Sequence, residues 1–216
     1  MFTSRVLSAL GIPCSHEKVF GGRPFAYADA STGIHESSWL AVPHLDMLPT
    51  RTLVVHQVRY PLDTIRSYID SGWFSDDDRT RPLWKHYTKR ALRLPASGRQ
   101  RLTEVVRTTA PAVFEESSPI ERAARFWVLW NELVQVSSLR CGHRYIRYRL
   151  EDMDADRFED LVGRIGVAPG RPVQAVLNEL GGGVNGRPRR SDLTLDQLGR
   201  AASDVQRLAR SYEYEL

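Results

Sequence analysis

The sequence predicts a helix-rich α/β protein built on a small parallel sheet, and three observations carry that expectation. Two short runs, "TLVVHQV" at 52–58 and "RYIRYRL" at 144–150, read as strands. Segments of helical periodicity surround them and outnumber them, and strands alternating with helices imply a parallel sheet. The 216 residues suit one domain; 42% are apolar and 26% charged, as in globular chains.

From the N-terminus, "FTSRVLSALGIP" is a short helix with Val6, Leu7 and Leu10 inward, stopped by Gly11 and Pro13. "HEKVFGGRPFAYADASTG" is glycine-rich and irregular, and "SSWLAVPHLDMLP" predicts a short helix broken at Pro43. "TLVVHQV" is a strand of the buried type, apolar at most positions. "PLDTIRSYIDSG" is a helix with Pro61 near its first position and Gly72 past its end. Residues 74–117 form a polar stretch with one or two helices around "LWKHYTKRALRL" and "RQRLTEVVRTT". Lacking a full core pattern, it reads as an insertion or lid within a single domain spanning 1–216.

"SSPIERAARFWVLWNELVQVSS" is a long helix. Ser118, Pro119 and Glu121 form a capping-box start, and Ala123, Trp127, Trp130 and Val134 recur at helical spacing. "RYIRYRL" alternates as a second strand. "DRFEDLVGRIGV", "RPVQAVLNEL" and "TLDQLGRAASDVQRLARSYEYEL" are further helices, the last opened by Thr194 with Gln197 three residues on. "GGGVNGRPRRSD" between them is a flexible loop, and the chain has no internal repeat.

Charge and cysteine content narrow the classes. The net charge is +4, and only three of the 30 basic residues are lysines. Arginine suits bidentate capture of phosphate or sulfate, though a coding bias toward arginine explains the composition equally. No nucleic-acid reader motif accompanies the charge, so nucleic acid is not an expected partner. Cys14 and Cys141 predict two buried free thiols in a reducing, cytoplasmic setting. No run reaches the ~18 apolar residues of a membrane span, the N-terminus does not read as a signal peptide, and the histidines and cysteines lack metal-ligand spacing. A GxxxxGK[ST] loop is absent, against an ATP or GTP hydrolase.

The segment "LVVHQVRYPLDTIRSYID" holds the candidate chemistry. Ligands of α/β sheets sit at the carboxyl ends of strands, where helix N-termini offer free N–H groups. Arg59 falls at such an end, and Ser67 lies two turns into the helix that Pro61 opens. Two readings are open from spacing alone: Arg59 pairs with Asp63 while Ser67 is a solvated position, or Arg59 and Ser67 share one anion. Elsewhere, His35, Glu36 and Trp39 suit an acceptor pocket or, equally, a cap and a core. His56 reads as a satisfied interior residue, and Trp127 and Trp130 as core. Glu151 and Asp152 read as a helix start or as partners of nearby arginines.

"VRYPLDTIRS" resembles the R-x-P-x-D-x-x-x-S segment of sulfotransferases that use 3′-phosphoadenosine 5′-phosphosulfate (PAPS). "SRVLSALGIPCSHE" is similar to the first helix and acidic turn of bacterial members. "ERAARFWVLWNELV" resembles their central helix and "RYIRYRLEDM" their strand ending in an acidic pair. The resemblance covers most of the chain outside 74–117. It implies a P-loop-like parallel sheet and transfer of a sulfuryl group to a hydroxyl on a glycan, lipid, peptide or small molecule. By the same resemblance, Arg59 and Ser67 hold the donor's 3′-phosphate. Arg187 or Arg189 (or Arg190) closes over it from the late basic loop. Glu17, adjoined by His16, is the general base, and no metal is needed. One departure stands out. Members begin with a strand and a glycine-rich loop that cradles the 5′-phosphosulfate, whereas here Met1 stands where that loop ends. The expectation is a start codon further upstream, with weak or absent transfer by the 216 residues themselves; the alternative is a non-catalytic module derived from such an enzyme.

Overall fold

The computed structural model describes residues 2–16, 35–74, 100, 104–105, 108, 111–113, 115–116, 118–180 and 192–216. The expected helix at 83–94, with most of the 74–117 insertion, lies outside these residues, as does the 181–191 loop; of the expected helix at 99–109, residues 100, 104–105 and 108 are described and are helical. What is described is an α/β fold rich in helix, with two small parallel sheets.

The central sheet pairs β3 (Leu53–Val58) with β4 (Arg144–Arg149) in parallel register, Leu53 opposite Arg144 and Val58 opposite Arg149. Strand residues alternate between the two faces, so β3 serves two cores at once. Val54, His56 and Val58 face α2 (Pro61–Asp70), α3 (Pro119–Arg140) and α6 (Ala202–Ser211). Val55 faces the other way, against α1 (Phe2–Ala9), α4 (Ala155–Ile165) and α5 (Val173–Glu179). The result is three layers, helices on both faces of a parallel pair. Burying Phe158 and Ile12 completely on the second face is worth about 2 kcal/mol each.

Local chemistry sets the element ends. Ser118 accepts from the Glu121 N–H at 3.2 Å and the Glu121 carboxylate accepts from the Ser118 N–H at 3.1 Å, a capping box worth about 1 kcal/mol. Trp127 and Trp130 of α3 are buried in the core as expected. Asp154 caps α4, and Gly166 ends it in the left-handed region that favours glycine. Gly11, at a φ of 83°, turns the chain out of α1, and the Leu10 carbonyl accepts from Gly170 N–H at 2.8 Å.

Four expectations need correction. Residues 14–16 and 35–37 are short parallel strands, β1 (Cys14–His16) and β2 (His35–Ser37); three residues without apolar alternation carry no strand signal. Pro43 does not break the segment after β2, which is a 3-10 helix over Trp39–Met47 that accommodates it. The last helix is not continuous either. Thr194 and Gln197 do form a capping box, but on a 3-10 stretch, Leu195–Ala201, kinked at Gly199 (φ 53°, ψ −132°) before α6 begins. A Cβ on Gly199 would fall 1.8 Å from a Glu121 carboxylate oxygen, so a side chain at the kink would displace the carboxylate that caps α3. Cys14 and Cys141 are free thiols as expected, though half-buried rather than buried.

Candidate functional site

The carboxyl ends of β3 and β4 gather the polar groups that sequence reasoning singled out, and several that it did not. Arg59 comes directly after β3 and is half-buried. It makes no ion pair with Asp63 or with any other described carboxylate. That removes the local-pair reading of Arg59 and leaves its guanidinium without a counter-charge among the described residues. Asp63 itself sits in the first turn of α2 with one carboxylate oxygen buried and unbonded, where the positive end of the helix offsets its charge. Pro61 starts α2, and Ser67 is exposed two turns on, its carbonyl accepting from the Ser71 hydroxyl at 2.7 Å.

Next to Ser67, Arg66 pairs with Asp70 at 2.8 Å and with Asp192 at 2.7 Å. Asp192 is the first described residue after the basic loop. The end of that loop is therefore tied to the helix that carries Ser67. Arg187, Arg189 and Arg190 lie outside the described residues. So does Glu17, the expected base.

A second group joins α1 to the same strand ends. Thr3 Oγ1 lies 2.9 Å from the Tyr148 hydroxyl, which donates to Gln57 Oε1 at 2.8 Å. Gln57 and Tyr148 are the penultimate residues of β3 and β4, and Thr3 is in the first turn of α1. The N-terminus of α1 therefore points to the carboxyl end of the sheet, on the face of the Val55–Gln57 row that position 59 continues. Burial pushes the Tyr148 phenol up to about 12, so it stays a donor at neutral pH.

On the opposite face a structural network closes the strand ends. The Tyr60 N–H donates to Glu151 at 2.7 Å, and the Tyr214 hydroxyl donates to the other oxygen of the same carboxylate at 2.7 Å. Burial and Glu151 hold the Tyr214 phenol well above its usual range. Arg149 pairs with both oxygens of Asp152, donates to the Glu213 carbonyl and lies 5.2 Å from the centre of the Tyr214 ring. The acidic pair thus serves as a partner for the arginine and a staple for the C-terminal tail.

The remaining candidates sort by their contacts. His16 Nδ1 donates to the Ser37 carbonyl at 2.8 Å across β1 and β2, so Nε2 is the basic nitrogen of the neutral ring. Glu36 accepts from the Ser15 hydroxyl. Trp39 packs 5.4 Å from Trp73 and 6.0 Å from Trp130, which is core packing. His56 is satisfied, as expected: Asn131 accepts from Nε2 at 2.9 Å and Tyr145 donates to Nδ1 at 2.7 Å. Burial, with Arg147 nearby, holds its imidazole down to about 4. Burial and Glu36 push the Cys14 thiol up to about 11, which makes it a poor nucleophile.

Sequence reasoning missed Asp192, Gln57 and Thr3. Asp192 had a signal, an acid ending a basic loop; Gln57 and Thr3 had none, because their meeting is a tertiary contact. Comparison of the chain with protein families, characterised proteins and solved structures finds no match.

Proposed function

We propose that this protein binds 3′-phosphoadenosine 5′-phosphosulfate and transfers its sulfuryl group to a hydroxyl acceptor. The observation that supports this most is Arg59, an arginine at a strand's carboxyl end with no carboxylate partner among the described residues, succeeded by an exposed serine on the next helix. In this reading Arg59 donates to the 3′-phosphate while the Ser67 hydroxyl takes another of its oxygens. The Arg66–Asp192 pair supports a place for the late basic loop beside that phosphate. The N-terminus of α1, aimed at the same strand ends through Thr3, favours a donor lying along the carboxyl edge of the sheet.

In the transfer itself the acceptor oxygen attacks sulfur. The bond from sulfur to the bridging phosphate oxygen breaks, and adenosine 3′,5′-bisphosphate leaves. The acceptor proton passes to Glu17, which completes the balance. The electrostatic demand is that of phosphoryl transfer, with cations meeting charge that spreads over the equatorial oxygens.

Calorimetric titration of adenosine 3′,5′-bisphosphate tests the anchor. Arg59→Ala is expected to weaken binding by about 2 kcal/mol, the scale of one lost charge-assisted bond. Equal affinity of the variant and the parent removes the proposal. Binding that survives in a chain showing no transfer from labelled donor would keep the nucleotide site without the transfer step.

A further inference from the structure

The sheet ends, among the described residues, at β4: its register is taken up by β3 on one side and by no strand on the other. Along that open edge runs a groove of about 260 Å³, floored by the consecutive strand residues 146–149. One wall is a stripe of α4 that includes Arg157 and Arg164, spaced seven apart on a single helix face. Tyr212 and Glu213, where α6 gives way to the C-terminal tail, make the other wall. This is the place a further strand of the sheet would occupy, between the two helical layers.

Its charges are unevenly matched. Arg149 is taken by Asp152, and Arg164 by Asp160 at 2.8 Å. Arg147 and Arg157 have no carboxylate within ion-pair distance among the described residues, and Glu213 is the groove's remaining acid. The Arg147 guanidinium lies over the Tyr212 ring, 4.6 Å from its centre, so the ring occupies one of its faces while no described acceptor meets its N–H edge. We infer that this groove receives an extended acidic peptide segment of a partner protein, added to β4 as a further strand. Main-chain bonds to the open edge would supply register, and the two unmatched arginines would select acidic side chains. A second copy of the chain is the poorer occupant. The strand "RYIRYR" carries three arginines and no acid, so pairing with itself sets like charges opposite each other.

The test uses the full chain and a fluorescein-labelled peptide alternating glutamate and valine, read by anisotropy. Saturable binding is expected, with Arg147→Glu and Arg157→Glu each weakening it about tenfold. Arg157 is exposed, so its variant keeps the fold even where the Arg147 change disturbs Tyr212; a thermal melt checks each. A peptide N-methylated at alternate amides is expected to lose binding. Three results would overturn the inference: no binding up to about 1 mM, equal binding of a lysine–valine peptide, or full binding of the N-methylated peptide, which would mark an anion site without strand addition.

Discussion

Arg59 and Arg149 end neighbouring strands of one sheet, and the protein treats them in opposite ways. Arg149, the last residue of β4, is held by Asp152, by the Glu213 carbonyl and by the Tyr214 ring. Arg59, one step past β3, has no carboxylate partner among the described residues although it is half-buried. The same side chain in nearly the same place is a structural tie in one strand and an open cation in the other. The difference lies in the next few residues of each strand end. After Arg149 comes Asp152, which supplies the counter-charge; after Arg59 comes Pro61, which turns the chain into α2 and sends Asp63 elsewhere.

The largest effect is expected where the two strand ends are joined. Glu151→Ala would leave the Tyr60 N–H and the buried Tyr214 hydroxyl without their acceptor, at a cost of about 3 kcal/mol. Urea denaturation measures it. An unchanged midpoint would show that the tail and the strand end hold without the staple.

A comparable effect comes from pH, and it bears on how ligand binding is read. The unfolded chain protonates His56 near pH 6.5, whereas the folded protein holds off to about 4. Stability present at neutral pH is therefore lost as pH falls between those values, by up to about 1.4 kcal/mol per unit. His56→Gln should flatten this dependence. Loss of bisphosphate affinity below pH 6 that tracks unfolding therefore belongs to His56 and not to the anchor.

The two arginines can also be separated directly. Arg149→Ala should cost about 1 kcal/mol of stability, modest because Asp152 is partly exposed, and leave bisphosphate affinity unchanged. Arg59→Ala should leave stability within about 0.5 kcal/mol and reduce affinity alone. Parallel melts and titrations of the two variants decide the matter: if both lose affinity, the network around Arg149 is part of the site.

Much of this arrangement was legible in the chain. Capping residues at 118–121, inward positions at 6, 7 and 10, and β-branched residues in β3 are local signals, and each appears where periodicity puts it. The Arg59–Pro61–Ser67 spacing was equally local. What was not legible is tertiary: the Glu121 carboxylate, 78 positions earlier, fills the space a side chain at Gly199 would need, and Thr3 meets Gln57 only through the packing of α1. Strands β1 and β2 are too short to show a period. Of the proposed site, the described residues include Arg59, Ser67 and His16, whereas Glu17, Arg187 and Arg189 fall outside them.

The smallest expected effect is the most discriminating. Ser67→Ala removes an exposed hydroxyl and should leave stability unchanged while weakening bisphosphate binding by about 1 kcal/mol. That number alone would not show that Ser67 and Arg59 act on one group. Both residues combined in a double variant would. If they hold the same phosphate, the loss of one lets that phosphate shift away from the other, so the double variant should lose less than the sum of the singles, with a coupling of about 0.5 kcal/mol or more. Strict additivity would place the serine and the arginine on different parts of the ligand, and the likeness between Arg59 and a phosphate anchor would then rest on the arginine by itself.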